Sequence, residues 1–120
     1  MALRDALKRL TTPVAVEDVN RLREFCDQFS AATPIAEVTA RQDATLVGEI
    51  ASVRIVPRVE GSPWLEATVR DGTGYVVAMW TGRKKIAGIH SGQRLVISGR
   101  GAPTGPGGRL VFLNPRYELL

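Results

Sequence analysis

The stretch that most constrains the fold is WLEATVRDGTGYVVAMW, residues 64–80, in which two runs of β-forming residues flank a glycine-containing turn. If Gly72 and Thr73 are the central residues of a hairpin turn, Arg70 lies opposite Tyr75 and the pairing continues along both runs. Alternation of side chains then gives one almost entirely apolar face, which we predict to form the core. Its members are Leu65, Ala67, Val69, Val76, Ala78 and Trp80. The other face is predicted to point outward and comprises Glu66, Thr68, Arg70, Tyr75, Val77 and Met79.

The turn sequence Asp71-Gly72-Thr73-Gly74 has a second interpretation, as a phosphate-binding loop. In such loops the glycines precede a helix whose N-terminal amides face the anion. Here a strand-like run follows the glycines, with no Lys-Ser or Lys-Thr pair after them. The hairpin interpretation is therefore preferred, with the Asp71 carboxylate accepting hydrogen bonds from nearby backbone amides.

Short β-type runs separated by glycine and proline continue from Leu46 to the end of the sequence. Besides the hairpin they are TLVGEIASVRIV, RLVISGR and RLVFLNPRYEL. Five such strands predict a mainly β protein, a small five-stranded barrel over about residues 43–119. Gly48 interrupts the first strand and predicts a bulge or bend there.

Apolar residues near the N-terminus recur at helical spacing instead. They are Val19, Leu22, Phe25, Cys26 and Phe29. This stripe predicts an amphipathic helix over residues 13–30, capped by Thr12, with Pro13 at its first position. The helix is expected to bury Leu22, Phe25 and Phe29, either on the barrel or in a homodimer. The predicted organisation is a helical segment over residues 1–32, which also holds a shorter stripe of Leu3, Leu7 and Leu10, and a barrel over residues 33–120.

Composition limits the function more than the fold. A chain of 120 residues suits one domain. Its single cysteine excludes an internal disulfide and suits a reducing cytoplasm. No apolar run is long enough to span a bilayer, so no membrane partner is expected. The net charge is +4 and lies wholly in residues 43–120, because residues 1–42 hold six basic and six acidic residues. This imbalance favours a polyanionic partner.

Catalysis is not expected. Acid–base and nucleophilic mechanisms need reactive side chains brought together, and the chain has one histidine, His90, and one cysteine, Cys26. His90 lies in the predicted turn before the fourth strand, and Cys26 lies on the apolar stripe of the helix. No group of side chains has the spacing of a metal site, so neither metal nor cofactor is predicted.

The ordered set of motifs resembles an OB-fold nucleic-acid-binding domain. These motifs are LVGEIASV, RDGTG, a third strand that ends in tryptophan, SGQRLVISGR and FLNPRYEL. The last motif and the lead-in TPIAEVTARQDATLVGEI are similar to the wedge domain of RecG-type helicases, and the set also resembles tRNA-anticodon-binding OB domains. A helical segment before one OB domain looks like stand-alone OB-fold DNA-binding proteins of actinobacteria. The resemblance covers about residues 33–120 and implies a Greek-key barrel.

The resemblance also implies that nucleic acid lies across strands 2 and 3, between the first and fourth loops. The residues to which it assigns this binding are Arg54, Arg58, Trp64, Arg70, Tyr75, Arg83, Lys84, Lys85, Arg100 and Arg109. Tyr75 either stacks a base or forms a cation–π pair with Arg70. Trp80, Phe112 and Tyr117 are expected to pack within the protein.

The sequence departs from the anticodon-binding relatives at two outward positions. Glu66 replaces a stacking aromatic residue, and Val77 replaces a polar residue that reads bases. We therefore expect non-catalytic binding of single-stranded or branched nucleic acid with little sequence preference, leaving DNA and RNA open. The alternative is a protein-interaction module that uses the same outward face and binds no nucleic acid.

Overall fold

The computed structural model describes residues 16–105 and 108–120, which form a mainly β structure preceded by one helix. Helix α1 covers residues 16–27 of this range, and a single 3-10 turn follows at Ile35–Glu37. The strands are β1 (Asp43–Val56), β2 (Trp64–Arg70), β3 (Tyr75–Thr81), β4 (Arg94–Pro103), β5 (Leu110–Leu113) and β6 (Arg116–Leu119). No helix in the described part of the chain is long and apolar enough to cross a membrane.

Five of these strands form a closed ring. The long strand β1 pairs with β4 through residues 43–49 and with β2 through residues 49–56. Strand β2 pairs with β3, β3 runs parallel to β5, and β5 pairs with residues 101–103 of β4, which completes the ring. Strand β6 adds to residues 95–98 of β4.

The predicted hairpin register is confirmed in full. Arg70 pairs with Tyr75, and the pairing runs without a shift to Trp64 opposite Thr81. The six side chains predicted to face inward are all buried, and Trp80 is only 6% exposed. Gly72 has a φ of 88°, the left-handed conformation that this turn requires.

Gly48 lies where β1 leaves β4 and joins β2. The next residue, Glu49, pairs with Arg94 on one side and Arg70 on the other. A Cβ atom on Gly48 would lie 2.6 Å from the Arg70 carbonyl oxygen, so a side chain would push β1 and β2 apart. The register shift itself falls between Ile50 and Ser52. The predicted irregularity therefore exists, but the bulge lies just after the glycine.

The predicted closing strand RLVFLNPRYEL is wrong as a single strand, because it divides into β5 and β6. Asn114 has a φ of 47°, outside the extended conformation, and Pro115 has no N–H to continue a ladder. The Asn114 backbone N–H donates to the Met79 carbonyl at 2.6 Å, and its side-chain oxygen accepts from the Thr81 N–H at 2.9 Å. This corner turns the chain from β3 towards β4, so the described residues hold six strands instead of five.

Helix α1 packs on the outer surface of the ring. Leu22 and Cys26 are buried against Val47 of β1, and Phe25, Phe29 and Val96 of β4 pack around them. The predicted burial of Leu22, Phe25 and Phe29 is thus complete for Leu22, whereas both phenylalanines are only partly buried. Val19 departs from it, since 45% of its surface is exposed. The predicted cap Thr12, Pro13 and the stripe of Leu3, Leu7 and Leu10 lie outside the described residues.

The hairpin turn also anchors the segments that precede β1. The Asp71 side chain is buried, and its Oδ1 accepts hydrogen bonds from the Thr73 N–H at 2.8 Å and the Gly74 N–H at 3.2 Å. Its Oδ2 accepts from the Ile35 N–H at 2.8 Å and forms an ion pair with Arg23 of α1 at 3.2 Å. The Arg23 guanidinium also donates to the Asp71 carbonyl oxygen. The local bonds were predicted, but the long-range ones were not.

Candidate functional site

The strands β2, β3 and β5 present one continuous outer surface. Register places Thr68, Val77 and Val111 in one row across the three strands, and Glu66, Met79 and Leu113 in the next. We call this surface, with the aromatic residues at its ends, the bare face. It comprises Trp64, Glu66, Thr68, Tyr75, Val77, Met79, Val111 and Leu113.

The bare face is unusually apolar for an outer surface of a small protein. Leu113 is 56% exposed and Tyr75 is 47% exposed, while Val77, Met79 and Val111 are half-buried. Contiguous exposed apolar side chains typically mark a binding surface. Helix α1 leaves it open, because its buried side chains lie on β1 and β4 and it approaches the bare face only beside Tyr75.

An arginine from a loop covers the aromatic ring at each end of the bare face. At one end, Arg58 from the loop between β1 and β2 lies over Trp64, with Cζ 4.2 Å from the ring centroid. At the other end, Arg109 lies over Tyr75 at 4.9 Å, just before β5 begins. The cation–π pair considered for Tyr75 is therefore real, but its partner is Arg109 and not Arg70. Both guanidinium groups belong to exposed residues.

Arg54 and Arg100 form ion pairs on the surface of the ring. Arg54 donates to Glu66 at 2.9 Å, so the acidic residue of the bare face is already paired. This hydrogen bond raises the pKa of Arg54. Arg100 donates to Asp43 at 2.8 Å and lowers the pKa of that carboxyl. Exposed pairs of this kind contribute little stability and exchange partners readily.

Arg70 is engaged on the side of the ring that α1 covers. It donates to Glu49 at 2.9 Å, and Glu49 also accepts from Arg94 at 3.3 Å. The hydrogen bond to Glu49 raises the pKa of Arg70. Arg94 in turn lies over the ring of Phe25 at 4.4 Å. Arg70 is thus part of the contact beneath the helix, although its register position is outward as predicted.

The predicted cationic cluster of Arg83, Lys84 and Lys85 is divided between two clefts. The segment between β3 and β4 contains turns and no helix, and all three residues are exposed. Arg83 lines a cleft beside Trp80 and Tyr117. The two lysines line a different cleft beside the second half of β1. The three charges therefore do not act at one place.

The remaining aromatic residues lie close to their predicted positions. The Trp80 Nε1–H donates to the Pro115 carbonyl at 3.2 Å, and Phe112 is completely buried. Tyr117 packs edge-on against Trp80 with centroids 5.5 Å apart, but it remains 39% exposed. The predicted packing of Tyr117 is therefore only partial.

The two side chains considered for catalysis lie on different elements, His90 in a turn before β4 and Cys26 on α1. His90 is exposed in a turn, with Nδ1 3.0 Å from the Ser91 carbonyl oxygen. The Cys26 thiol donates to the Val47 carbonyl oxygen, and burial raises its pKa. Within residues 16–105 and 108–120, no group of three histidine, cysteine or acidic side chains could hold a metal ion.

Sequence reasoning missed the contribution of β5 to the site. The alternation in RLVFL does carry the signal, because Arg109, Val111 and Leu113 share one side while Phe112 is buried. Only the parallel pairing of β3 with β5 brings that side next to Tyr75 and Val77. No protein-family model matches this chain, and no curated protein matches it either.

Proposed function

We propose that the ring is an OB-fold and that the protein binds single-stranded or branched nucleic acid on the bare face without catalysing a reaction. An OB-fold is a five-stranded Greek-key barrel that binds oligonucleotides on the face of strands 2 and 3, next to its first and fourth loops. The closed ring of five strands, with β5 inserted between β3 and β4, is compatible with that architecture.

The observation that carries the proposal is the pair of arginine–aromatic stacks. Single-strand binding proteins combine cations for the phosphate backbone with aromatic rings on which bases stack. Here each loop that borders the bare face supplies one cation, Arg58 over the half-buried ring of Trp64 or Arg109 over the exposed ring of Tyr75. A base could replace the guanidinium on the ring while the guanidinium moves to a phosphate.

The bare face offers few groups that could read a sequence. Its polar members between the aromatic ends are Glu66 and Thr68, and Glu66 is paired with Arg54. Val77 and Met79 can pack against a sugar or base but cannot distinguish the hydrogen-bonding edges of bases. We therefore propose binding led by backbone charge and stacking, with little sequence preference.

The first prediction tests this proposal by titrating the full chain into a labelled single-stranded oligonucleotide. If three or four phosphates are neutralised, log K should fall with log salt at a slope of about −2 to −3. Trp64→Ala and Tyr75→Ala should each weaken binding by about 1–3 kcal/mol at any salt concentration. Arg58→Ala and Arg109→Ala should instead make the salt dependence shallower.

Two controls separate the site from general effects. His90→Ala should leave both affinity and salt slope unchanged, because that side chain lies in a turn outside the bare face. Failure of single strands, duplex DNA and RNA to bind at low salt would refute the proposal. A protein partner that binds the wild type and is lost with Trp64→Ala and Leu113→Ala would then favour the interaction module.

A further inference from the structure

The second half of β1 is an open sheet edge. Its pairing with β4 ends at Glu49, and from Ser52 to Val56 it pairs with β2 alone. Proteins usually cover or blunt such edges, because their unpaired backbone groups attract another strand. Beyond the bulge, residues 52–56 pair with β2 without a register shift, so this edge is extended and can accept another strand.

The register shows which backbone groups face the open side. The Asp71 N–H donates to Gly74, so odd-numbered residues of β2 direct their N–H and C=O groups towards β3 and even-numbered ones towards β1. Ser52, Arg54 and Val56 are the partners of even-numbered residues and are bonded to β2. Val53 and Ile55 therefore direct their N–H and C=O groups outward. Within the described residues neither forms a backbone hydrogen bond to a loop.

An apolar cleft with a cationic rim lies beside this edge. Its volume is about 560 Å³, and its lining comprises Val53, Arg54, Ile55, Leu65, Lys84, Lys85 and Ile89. Leu65 and Ile89 belong to the core of the ring, whereas Ile55 is 53% exposed. The cleft is thus a place where the apolar interior reaches the surface. Its floor is aliphatic throughout.

The lysines at the rim have no acidic partner among the described residues. Each ion pair between described side chains involves arginine, and neither Lys84 nor Lys85 takes part in one. Two exposed, adjacent positive charges favour an anionic occupant. An aliphatic floor with no aromatic ring cannot stack a base, so the cleft is poorly suited to nucleic acid.

We propose that this edge and cleft bind an extended acidic peptide segment of a partner protein, which adds as a strand beside residues 52–56 of β1. In this mode the backbone bonds supply affinity, and pockets for alternate side chains supply specificity. Apolar side chains of the peptide enter the cleft, and carboxylates between them pair with Lys84 and Lys85. Residues 1–15 of this chain do not have the composition of such a segment, since they hold three basic residues and one acidic residue.

The cleft shares no residue with the bare face, but its Arg54 pairs with Glu66 there, so the test uses the two lysines instead. The test is fluorescence anisotropy of a labelled eight-residue peptide of alternating glutamate and leucine, titrated with the full chain at low salt. Lys84→Ala combined with Lys85→Ala should weaken peptide binding roughly tenfold. Because both lysines lie outside the bare face, the same double variant should weaken single-stranded DNA binding much less than peptide binding. Arg83→Ala is the matched control, because it removes a neighbouring charge that lines the other cleft.

Variants of the peptide test the mode of binding without perturbing the protein. Replacing leucine by serine removes the apolar side chains, and replacing glutamate by lysine reverses the charge, so each should abolish binding. Two peptides, one N-methylated at the odd-numbered amides and the other at the even-numbered amides, should behave differently. One should lose binding and the other should keep it, since only one set of N–H groups faces β1. Equal binding of the two N-methylated peptides would overturn strand addition. Absence of peptide binding, or equal losses of peptide and DNA binding in the double-lysine variant, would overturn the assignment of this cleft.

Discussion

The two outer faces of the ring differ in what covers them. We call the surface beneath α1 the covered face and define it as Val47, Glu49, Arg94 and Val96. Its valines are packed under Leu22 and Cys26, and Glu49 holds two arginines in place. The bare face has a comparable set of apolar side chains, but within residues 16–105 and 108–120 its cover is two loop arginines, one on each aromatic ring. Among the described residues, one apolar face is therefore packed under α1 and the other stays open.

The same substitution on both faces gives the sharpest test of this difference. Val47→Asp would place an unpaired carboxylate beneath α1, where the wild-type side chain is only 3% exposed, and should lower the free energy of unfolding by about 3–5 kcal/mol. Val77→Asp lies on the half-exposed bare face and should cost about 1 kcal/mol or less. Urea denaturation followed by tryptophan fluorescence measures both.

The binding assay should show the opposite order for these two variants. Val77→Asp introduces a negative charge at the centre of the bare face and should weaken binding of the oligonucleotide. Val47→Asp should keep its affinity under conditions where it remains folded. Similar losses of stability in both variants would mean that the two faces are equally buried and that the comparison is wrong.

A smaller effect is expected when the docking of α1 is loosened without changing its apolar side chains. Arg23 links the helix to the buried turn through its ion pair with Asp71. Burial lowers the pKa of Arg23, but Asp27 and Asp71 together raise this pKa by more, so the net shift is upward. Arg23→Ala removes hydrogen bonds to charged and carbonyl oxygens, which are worth about 1.5–3 kcal/mol. Transient opening of the helix should therefore become roughly ten- to a hundredfold more frequent.

Cys26 reports this opening directly. Its thiol is buried against Val47, and burial raises its pKa, so it should react slowly with a thiol reagent in the wild type. The rate of modification should rise with Arg23→Ala and remain unchanged with Arg21→Ala, whose side chain is 72% exposed. Fast modification of the wild type would show that α1 does not protect the covered face.

Sequence reasoning succeeded where a pattern was local. Alternation on either side of Gly72 and Thr73 determined the register of the hairpin, because a shift of one residue would have buried Glu66 and Arg70. The helical stripe around Leu22 and Phe25 was equally visible. These elements need only neighbouring residues to reveal which side is apolar.

It failed where long-range pairing decides the outcome. The break at Asn114 serves contacts with Met79 and Thr81, more than thirty residues earlier in the chain, so RLVFLNPRYEL looked continuous. The partners of Arg70 and Tyr75 were likewise predicted wrongly, since the charges that compete for them lie on β1 and before β5. The resemblance assigned eight cations to the binding surface, but the sequence could not show which of them were already paired.

The smallest predicted effect concerns the one acidic residue of the bare face. Glu66 holds Arg54 in an ion pair, with 70% of the arginine side chain exposed. Glu66→Gln removes a negative charge from the proposed path of the phosphates and releases Arg54 for one of them. Because exposed pairs are worth about 0.2–1 kcal/mol, oligonucleotide affinity should increase by about two- to fivefold. One additional phosphate contact should also steepen the salt slope by about 0.7.

Glu17→Gln is the matched control for this gain, because it removes the same charge from another exposed pair, with Arg21 on α1. If net charge alone governs binding, the two variants should raise affinity equally and leave the slopes alike. If the bare face is the site, only Glu66→Gln should steepen the slope, since only that variant frees a cation between the two arginine–aromatic stacks. Unchanged or weaker binding by Glu66→Gln would mean that nucleic acid does not cross the row of Glu66 and Met79, and the proposed path would have to be abandoned.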